Sequence, residues 1–181
     1  MNFVNNMNKS FRQHNPLLLK LISVLLLYPD DEFMDALPLL EAEISNSVKG
    51  STKNQLLAFV KNAKTIPAIQ LQEHYTQVFD VNPKTCLNLT YHSIGDTENR
   101  GRVLAQIDQI YLESGYERTT SELPDFLPLI LEFLSQSHQD TQLDLLWKQL
   151  EAVKNIAETL GKIGSPYQAL MEILLENYNN A

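Results

Sequence analysis

The sequence contains a single cysteine, Cys86, among 181 residues. One thiol excludes an internal disulfide framework and a two-cysteine metal knuckle, and it favours a reducing compartment. Glycine is also scarce: the six glycines are spread along the chain and form neither a phosphate-binding loop nor a nucleophile elbow. The four histidines lack the spacing of a zinc site. These absences argue against most cofactor-dependent and metal-dependent enzymes, and we predict no cofactor and no metal.

Positive charge is the next shortage. Fourteen basic residues stand against 22 acidic ones, which gives a formal net charge of −8 and an isoelectric point near 4.9. A non-specific nucleic-acid binder needs a basic face, so nucleic acid is not a predicted partner. A basic protein partner is compatible with this charge, although acidity by itself also serves solubility.

Long hydrophobic runs are missing too. The strongest run, residues 17–28, is shorter than the ~20 residues that span a bilayer, and Lys20 and Ser23 interrupt it. We therefore predict a buried helix there and no membrane insertion. Residues 1–15 are polar and rich in asparagine, without the apolar core of a signal peptide. We expect them to form a flexible arm ahead of one helical domain at residues 16–178.

What the chain does contain is apolar residues at helical spacing in nearly every segment. Asn15-Pro16 is a cap followed by proline, Pro38 is expected to break or kink a helix, and Gly115 is typical of a helix end. A turn is expected at 135–140, and a long helix at 143–160. The inward faces include Leu71, Tyr75, Val78 and Phe79, and later Leu170, Met171, Leu174 and Tyr178. The fold class predicted is all-α, a single compact globule of eight or nine helices with mostly antiparallel neighbours.

The stretch from Glu122 to Leu134 joins a stiff polar corner to an apolar segment. Pro124 suits a helix start and Asp125 would then lie in the first turn, where the helix dipole favours a carboxylate. Pro128 is expected to end that turn or kink it. The apolar residues that follow predict a helix in the core.

A second informative stretch lies at residues 95–102. Asp96 or Thr97 is predicted to cap a helix. Arg100 and Arg102 fall near its first turn, where a cation gains nothing from the helix dipole. We expect them either to meet a carboxylate on a neighbouring element or to form a solvated pair on the helix flank.

Two catalytic interpretations are weak. Cys86 and His92 would meet if their loop folds back, but no third group orients them, and a lone cysteine is usually a small buried hydrophobe. Glu122, Asp125 and Glu132 resemble a general acid–base group without companion machinery. An acidic helical protein is better suited to binding a peptide between its helices, with an acidic rim that attracts a basic partner.

Several motifs, in order along residues 17–135, carry a family resemblance. They are LISVLLLYPD at 21–30, Tyr75-x-x-x-Phe79-Asp80, Leu87-x-Leu89-Thr90-Tyr91, Gly95-Asp96-Thr97-x-x-Arg100-Gly101, Glu122-Leu123-Pro124-Asp125-x-Leu127-Pro128 and Leu131-Glu132-Phe133-Leu134. Together they resemble the NarJ-type chaperones, which assist molybdenum cofactor assembly of respiratory nitrate reductase.

The resemblance implies an all-helical, cytoplasmic, system-specific chaperone that is not an enzyme. Its partner would be the catalytic (alpha) subunit of nitrate reductase, bound through its N-terminal peptide and held open for molybdenum cofactor insertion. Two alternatives stay open: a chaperone for a related molybdoenzyme, and a helical adaptor that never meets one.

The resemblance also suggests site residues. Those expected to bind the peptide are Tyr75, Phe79, Asp80, Glu122, Pro124, Asp125, Phe126 and Glu132. Those that support the motifs are Tyr91, Asp96, Arg100, Gly101 and Pro128. We hypothesise that Asp125 and Glu122 face the positive end of the peptide, while Tyr75 and Phe79 line an apolar floor. Phe126 stands where the family often has histidine, so a protonation-linked role is not expected there.

Overall fold

Helices dominate the computed structural model, which describes residues 15–137 and 143–179, the last two by their backbone alone. The predicted N-terminal arm lies outside the described residues except for Asn15. The end of the predicted turn, 138–140, and the predicted inward face of Tyr178 also lie outside them.

The helix bounds give the architecture. The helices are α1 (Pro16–Leu25), α2 (Asp31–Ser47), α3 (Gly50–Thr65), α4 (Ala68–Tyr75), α5 (Leu89–Ile94), α6 (Glu98–Glu113), α7 (Leu127–Gln136), α8 (Asp144–Gln149), α9 (Val153–Lys162) and α10 (Gln168–Asn179). A π-helical turn (Thr76–Asp80) extends α4, and a 3-10 turn (Leu150–Ala152) joins α8 to α9. With 144–162 counted as one helix, the described residues form nine helices and no strand, which confirms the all-α prediction.

Local capping chemistry sets several of these bounds. The Asn15 side chain accepts a hydrogen bond from Leu18 N at 3.2 Å, and the Asp30 carboxylate accepts one from Phe33 N at 2.9 Å. Each bond satisfies a first-turn N–H that has no partner within the helix. Gly115 follows α6 with φ of +70°, a left-handed conformation that glycine adopts without strain. The starts of α1 and α2 and the end of α6 were therefore predictable from sequence.

Pro38 does not break the second helix, so the expected break was wrong. It lies inside α2, which runs unbroken for 17 residues. Proline removes one intrahelical hydrogen bond, which leaves the carbonyl four residues earlier without its partner. Pro38 lies on the exposed side of the helix, where water can satisfy a freed carbonyl.

The other proline prediction also needs correction. Pro124 and Asp125 lie in a turn, and α7 begins three residues after Pro124, at Leu127, with Pro128 at its second position. Pro128 therefore belongs to the start of the helix and neither ends nor kinks a turn. A proline costs nothing there because the first N–H groups of a helix have no intrahelical acceptor.

The predicted long helix at 143–160 is tightened in its middle by the 3-10 turn. Its apolar positions are nevertheless all buried: Leu143, Leu146, Leu150, Val153, Ala157 and Leu160. The hydrophobic pattern correctly identified the buried face, although it does not distinguish a 3-10 turn from an α-helical one.

The centre of the molecule is the packing of α1 against α7. Both helices are mostly apolar, and Ile22, Leu25, Ile130 and Leu134 are fully buried in a continuous core. The pairs α2 with α3 and α9 with α10 pack around it. No helix in the described part of the chain has the length and hydrophobicity needed to cross a membrane.

Candidate functional site

The chain before α5 meets the chain before α7 in an isolated antiparallel bridge. Asn88 faces Phe126 in this bridge, and Leu127 N donates a hydrogen bond to Leu87 O at 2.8 Å. In residues 87–91 the apolar residues Leu87, Leu89 and Tyr91 alternate with polar ones, and this segment forms a single bridge followed by the start of a short helix. The bridge fixes Phe126 and Leu87 beside each other at the start of α7.

Asp125 lies behind this bridge and is completely buried. Its Oδ2 accepts hydrogen bonds from Thr90 N at 3.1 Å and Thr90 Oγ1 at 2.5 Å, and its Oδ1 accepts one from Asn88 Nδ2 at 3.1 Å. Its backbone carbonyl accepts a further bond from Leu89 N at 3.1 Å. A buried carboxylate is tolerated only when it is paired and hydrogen-bonded, and Asp125 meets both conditions through these bonds and Arg100.

Arg100 supplies the positive charge for this cluster. Its Nη2 lies 3.4 Å from Asp125 Oδ2, its Nε donates to Thr90 Oγ1 at 3.0 Å, and its guanidinium lies 5.9 Å from the ring centre of Tyr91. The expectation of a carboxylate on another element is confirmed for Arg100. Arg102 instead forms an exposed pair with Glu98 on its own helix, at 3.6 Å.

The opposite side of the same corner is held by a tyrosine. Tyr111 is buried, and its hydroxyl donates to Pro124 O at 2.9 Å. Burial raises the pKa of Tyr111 well above its ordinary value, so the hydroxyl remains a donor. Its ring packs edge-on against Phe133 at 4.8 Å between centres. The corner at residues 124–126 is thus fixed from both α5 and α6.

A cavity of about 700 Å³ opens beside the corner, between α1, the start of α2, the π turn, α7 and the loop after α6. Its lining includes polar and apolar side chains from all of these elements. Of the residues predicted to bind a peptide, six line it: Tyr75, Phe79, Asp80, Glu122, Phe126 and Glu132. Pro128, predicted as a motif-supporting residue, lines it as well.

The remaining predicted residues lie elsewhere. Pro124 and Asp125 are buried behind the cavity, and Tyr91, Asp96, Arg100 and Gly101 belong to the Asp125 cluster or to the turn and helix beside it. The hypothesis that Asp125 faces a peptide is therefore corrected, because its carboxylate is fully buried and engaged within the protein. Glu122 is exposed at the cavity, as that hypothesis requires.

The charged side chains that line the cavity are mostly acidic. Its six acidic lining residues are Asp30, Glu32, Asp80, Glu117, Glu122 and Glu132. Among the described lining residues the one lysine is Lys20, and no arginine is present. Asp30, Glu32 and Glu117 were not predicted, because they reach this opening from separate parts of the chain and only tertiary packing, such as that of α1 against α7, brings those parts together. A cavity with this charge attracts cations and disfavours anions.

Aromatic rings form the floor of the cavity. Tyr75 and Phe79 are nearly buried and pack edge-on at 4.9 Å, while the half-exposed Tyr28 packs edge-on against Tyr75 at 5.4 Å. The Tyr75 hydroxyl donates to Leu26 O at 3.0 Å, and burial raises the pKa of this hydroxyl. The Tyr75 and Phe79 rings are therefore held in fixed orientations beneath the opening, and the half-exposed Tyr28 ring provides apolar contact area next to the acidic groups.

Cys86 and His92 do meet, as the loop interpretation allowed. Cys86 Sγ lies 3.5 Å from His92 Nε2, and the same nitrogen lies 2.7 Å from Cys86 O. Burial raises the pKa of the Cys86 thiol, which opposes thiolate formation. Among the described residues, no group of three or more histidine, cysteine, aspartate or glutamate side chains has the arrangement of a metal site.

Comparison with protein families gives a direct match. The family model described as "Nitrate reductase delta subunit" matches residues 41–167 of this chain. That range contains α3 to α9, the π turn and the corner at residues 124–126. Of the described helices, α1 and the first part of α2 precede the matched range, and α10 follows it.

Two curated relatives agree with the family match. The "Probable nitrate reductase molybdenum cofactor assembly chaperone NarJ" of Bacillus subtilis (strain 168) is 34% identical over 159 residues, covering 88% of this chain and 86% of the relative. The NarJ chaperone of Escherichia coli (strain K12), which carries the same description without "Probable", is 29% identical over 177 residues. That alignment covers 90% of this chain and 70% of the relative.

A solved structure supports the fold alone. The crystal structure of a protein from Archaeoglobus fulgidus that is assigned to redox enzyme maturation aligns with a TM-score of 0.64. Sequence identity is 24%, and the alignment covers 94% of this chain and 99% of the other.

Proposed function

The chain belongs to the nitrate reductase delta subunit family, and from this premise we propose that it is a system-specific assembly chaperone for a respiratory nitrate reductase. It supports molybdenum cofactor insertion into the catalytic subunit and then leaves. The names of the B. subtilis and E. coli relatives support this assignment. The domain at residues 16–178 carries the activity.

The observation on which the proposal rests is the acidic cavity with an aromatic floor. In this proposal its occupant is the N-terminal segment of the catalytic subunit, a peptide with basic and apolar residues. Six acidic side chains line the opening, and Tyr28, which packs on the buried Tyr75, provides apolar contact area. Complementary charge raises the association rate, while buried aromatic contacts supply affinity.

The size of the cavity limits how the peptide binds. About 700 Å³ is within the range of small-molecule sites, so it takes up several side chains and not a whole folded segment. The rest of the peptide then lies across the rim. This mode corresponds to an amphipathic segment that places its anchoring side chains in a groove between helices.

The Asp125 cluster has a positioning role in this proposal. It holds the bridge between Asn88 and Phe126, and both of these residues line the cavity. Asp125 therefore acts on the peptide through the shape of the cavity wall. Phe126 contributes an aromatic ring to the cavity lining.

We also propose that the protein has no catalytic activity of its own and acts in the cytoplasm. The raised pKa of Cys86 keeps the thiol protonated, which disfavours a nucleophilic role beside His92. The cysteine is free, which is consistent with a reducing compartment. Replacing Cys86 with serine should leave chaperone activity intact.

Isothermal titration tests the proposal. The protein is titrated with a synthetic peptide of the N-terminal segment of the nitrate reductase catalytic subunit from the same genome, and with a scrambled peptide of equal charge. Saturable binding of the native peptide alone is expected. Equal binding of both would reduce the cavity to a non-specific charged surface.

If neither peptide binds, the N-terminal segments of other molybdoenzymes become the next probes, and binding of one of them would favour the related-molybdoenzyme alternative. Co-purification tests the second alternative. A helical adaptor unrelated to molybdoenzymes would not enrich an apo-reductase from cells that express one.

A further inference from the structure

Lys20 is an exception within the acidic cavity. It is the one basic side chain among the described lining residues, and it comes from α1, where apolar neighbours surround it in sequence. Its ammonium group forms an ion pair with Glu132 of α7. The helices that hold the two residues pack directly against each other, so the pair lies where the core reaches the cavity.

The Lys20–Glu132 pair is not needed to hold these helices together. The two side chains are 45% and 34% exposed, whereas the α1–α7 contact below them is made by fully buried apolar residues such as Ile22 and Leu134. Partly exposed ion pairs contribute little net free energy, because water and salt compete with the partners. The lysine is therefore easily exchanged for another cation.

A second residue of the cavity lining interacts with Glu132. Tyr116 lies beside it, and its pKa is raised to about 12, first by burial and then by the charge of Glu132 and a hydrogen bond to it. The Tyr116 ring packs against Phe133 and Tyr111 at 5.3 and 5.5 Å. The glutamate side chain therefore has a packed aromatic ring near it, and its ion-pair partner is the flexible four-carbon side chain of Lys20.

We infer that Glu132 is the residue that recognises one basic side chain of the bound peptide, and that Lys20 is an internal competitor which this side chain displaces. The inference rests on the proposed peptide-binding function and adds the specificity residue and its occupant. Displaced, the Lys20 stem can turn toward solvent. An arginine of the peptide suits the site well, because its planar fork can contact the carboxylate with two hydrogen bonds.

A double-mutant cycle tests the inference. The variants are Lys20→Met, which keeps the length of the stem, and Glu132→Gln, which keeps the shape of the carboxyl group. Lys64→Met is the matched control, since Lys64 forms a similarly exposed pair with Glu41 that does not line the cavity. Each is titrated with the N-terminal peptide described above and with versions in which one lysine or arginine at a time is glutamine.

We expect Lys20→Met to tighten binding about twofold to fivefold, because removing the competitor saves the free energy of an exposed pair. Glu132→Gln should weaken binding about threefold to tenfold, and Lys64→Met should match the wild type. One particular peptide substitution should weaken binding to the wild type yet cause no further loss with Glu132→Gln, which is the signature of direct coupling. Circular dichroism melting establishes that all variants are folded.

The inference is overturned if Lys20→Met binds like the wild type, or if every peptide substitution weakens binding equally to the wild type and to Glu132→Gln. Such results leave the proposed function standing, because the native peptide still binds the wild type. Failure of the proposed function looks different: the wild type itself would not distinguish the native peptide from its scrambled control.

Discussion

Asp125 and Glu132 are seven residues apart in the sequence and lie in opposite surroundings. Asp125 has no exposed surface, and its carboxylate is bound by Asn88, Thr90 and Arg100. Glu132 is 34% exposed in the cavity and pairs with a partly exposed lysine. The Asp125 carboxylate stabilises the fold, whereas the Glu132 carboxylate can exchange its lysine partner for another cation. An acidic residue in a motif therefore indicates binding only after its burial and its partners are known.

Of the substitutions considered, Asp125→Ala should cause the largest loss of stability. Removal of the carboxylate leaves the Thr90 and Asn88 donors and the Arg100 charge without their buried partner. Loss of one member of a buried ion pair costs about 3–5 kcal/mol, which lowers the melting temperature by roughly 10 °C in a domain of this size. Thermal melting by circular dichroism measures it, with Glu132→Gln as the exposed counterpart that should melt like the wild type.

Asp125→Asn serves as the milder control, because the amide keeps one acceptor oxygen for Thr90 while the charge is lost. The melting temperature of Asp125→Asn should lie between those of the wild type and Asp125→Ala. If Asp125→Ala melts at the wild-type temperature and loses only peptide binding, the buried cluster is not structural and the comparison fails.

An intermediate loss of stability is expected when Arg100 of α6 is replaced, and Arg102 of the same helix serves as the comparison. Arg100 is 15% exposed and pairs with buried Asp125, whereas Arg102 is 74% exposed and pairs with Glu98 on the same helix. Arg100→Ala should lower the free energy of unfolding by about 1–3 kcal/mol, since Asp125 keeps its hydrogen bonds but loses its counter-charge. Arg102→Ala should change it by less than about 0.5 kcal/mol. Urea unfolding of both variants gives the difference in the free energy of unfolding. Equal losses would show that burial does not determine how much each ion pair contributes to stability.

Substitution of Glu122 should have the smallest effect on stability. It should still have a measurable effect on peptide binding. This residue is exposed on the cavity rim, so Glu122→Gln should change the free energy of unfolding by less than about 0.5 kcal/mol. Its affinity for the basic peptide should fall about twofold, with a weaker dependence on salt, because one screened charge is removed. Titrations at two salt concentrations measure both quantities. Glu158→Gln, an exposed acid on α9 outside the cavity, is the control and should bind like the wild type.

Parts of the fold were predictable because their causes are local. The cap at Asn15, the cap at Asp30 and the left-handed Gly115 each depend on a few adjacent residues. The prolines were harder, because Pro38 is tolerated inside α2 through its exposed position and Pro128 through its place in the first turn of α7. Neither circumstance can be read from the neighbouring residues.

The candidate site was partly predictable for the same reason. Tyr75 and Phe79 share one helical face, so their common burial follows from spacing, and the family motifs include Glu122, Phe126 and Glu132. Lys20, Asp30 and Glu32 could not be associated with them, since the two groups lie between 43 (Glu32 to Tyr75) and 112 (Lys20 to Glu132) positions apart along the chain. Their meeting depends on α1 packing against α7, which is a long-range contact.

The amino-acid sequence by itself determined the helical class, the buried faces and the net acidity, because periodicity, capping and charge are properties of short segments and of composition. The tertiary structure decided which acids are buried and which are open. It placed Asp125 behind the Asn88–Phe126 bridge and brought six acids and one lysine to a single cavity. The physical reason is that solvation of a charge depends on all the elements packed around it, and these come from distant parts of the chain.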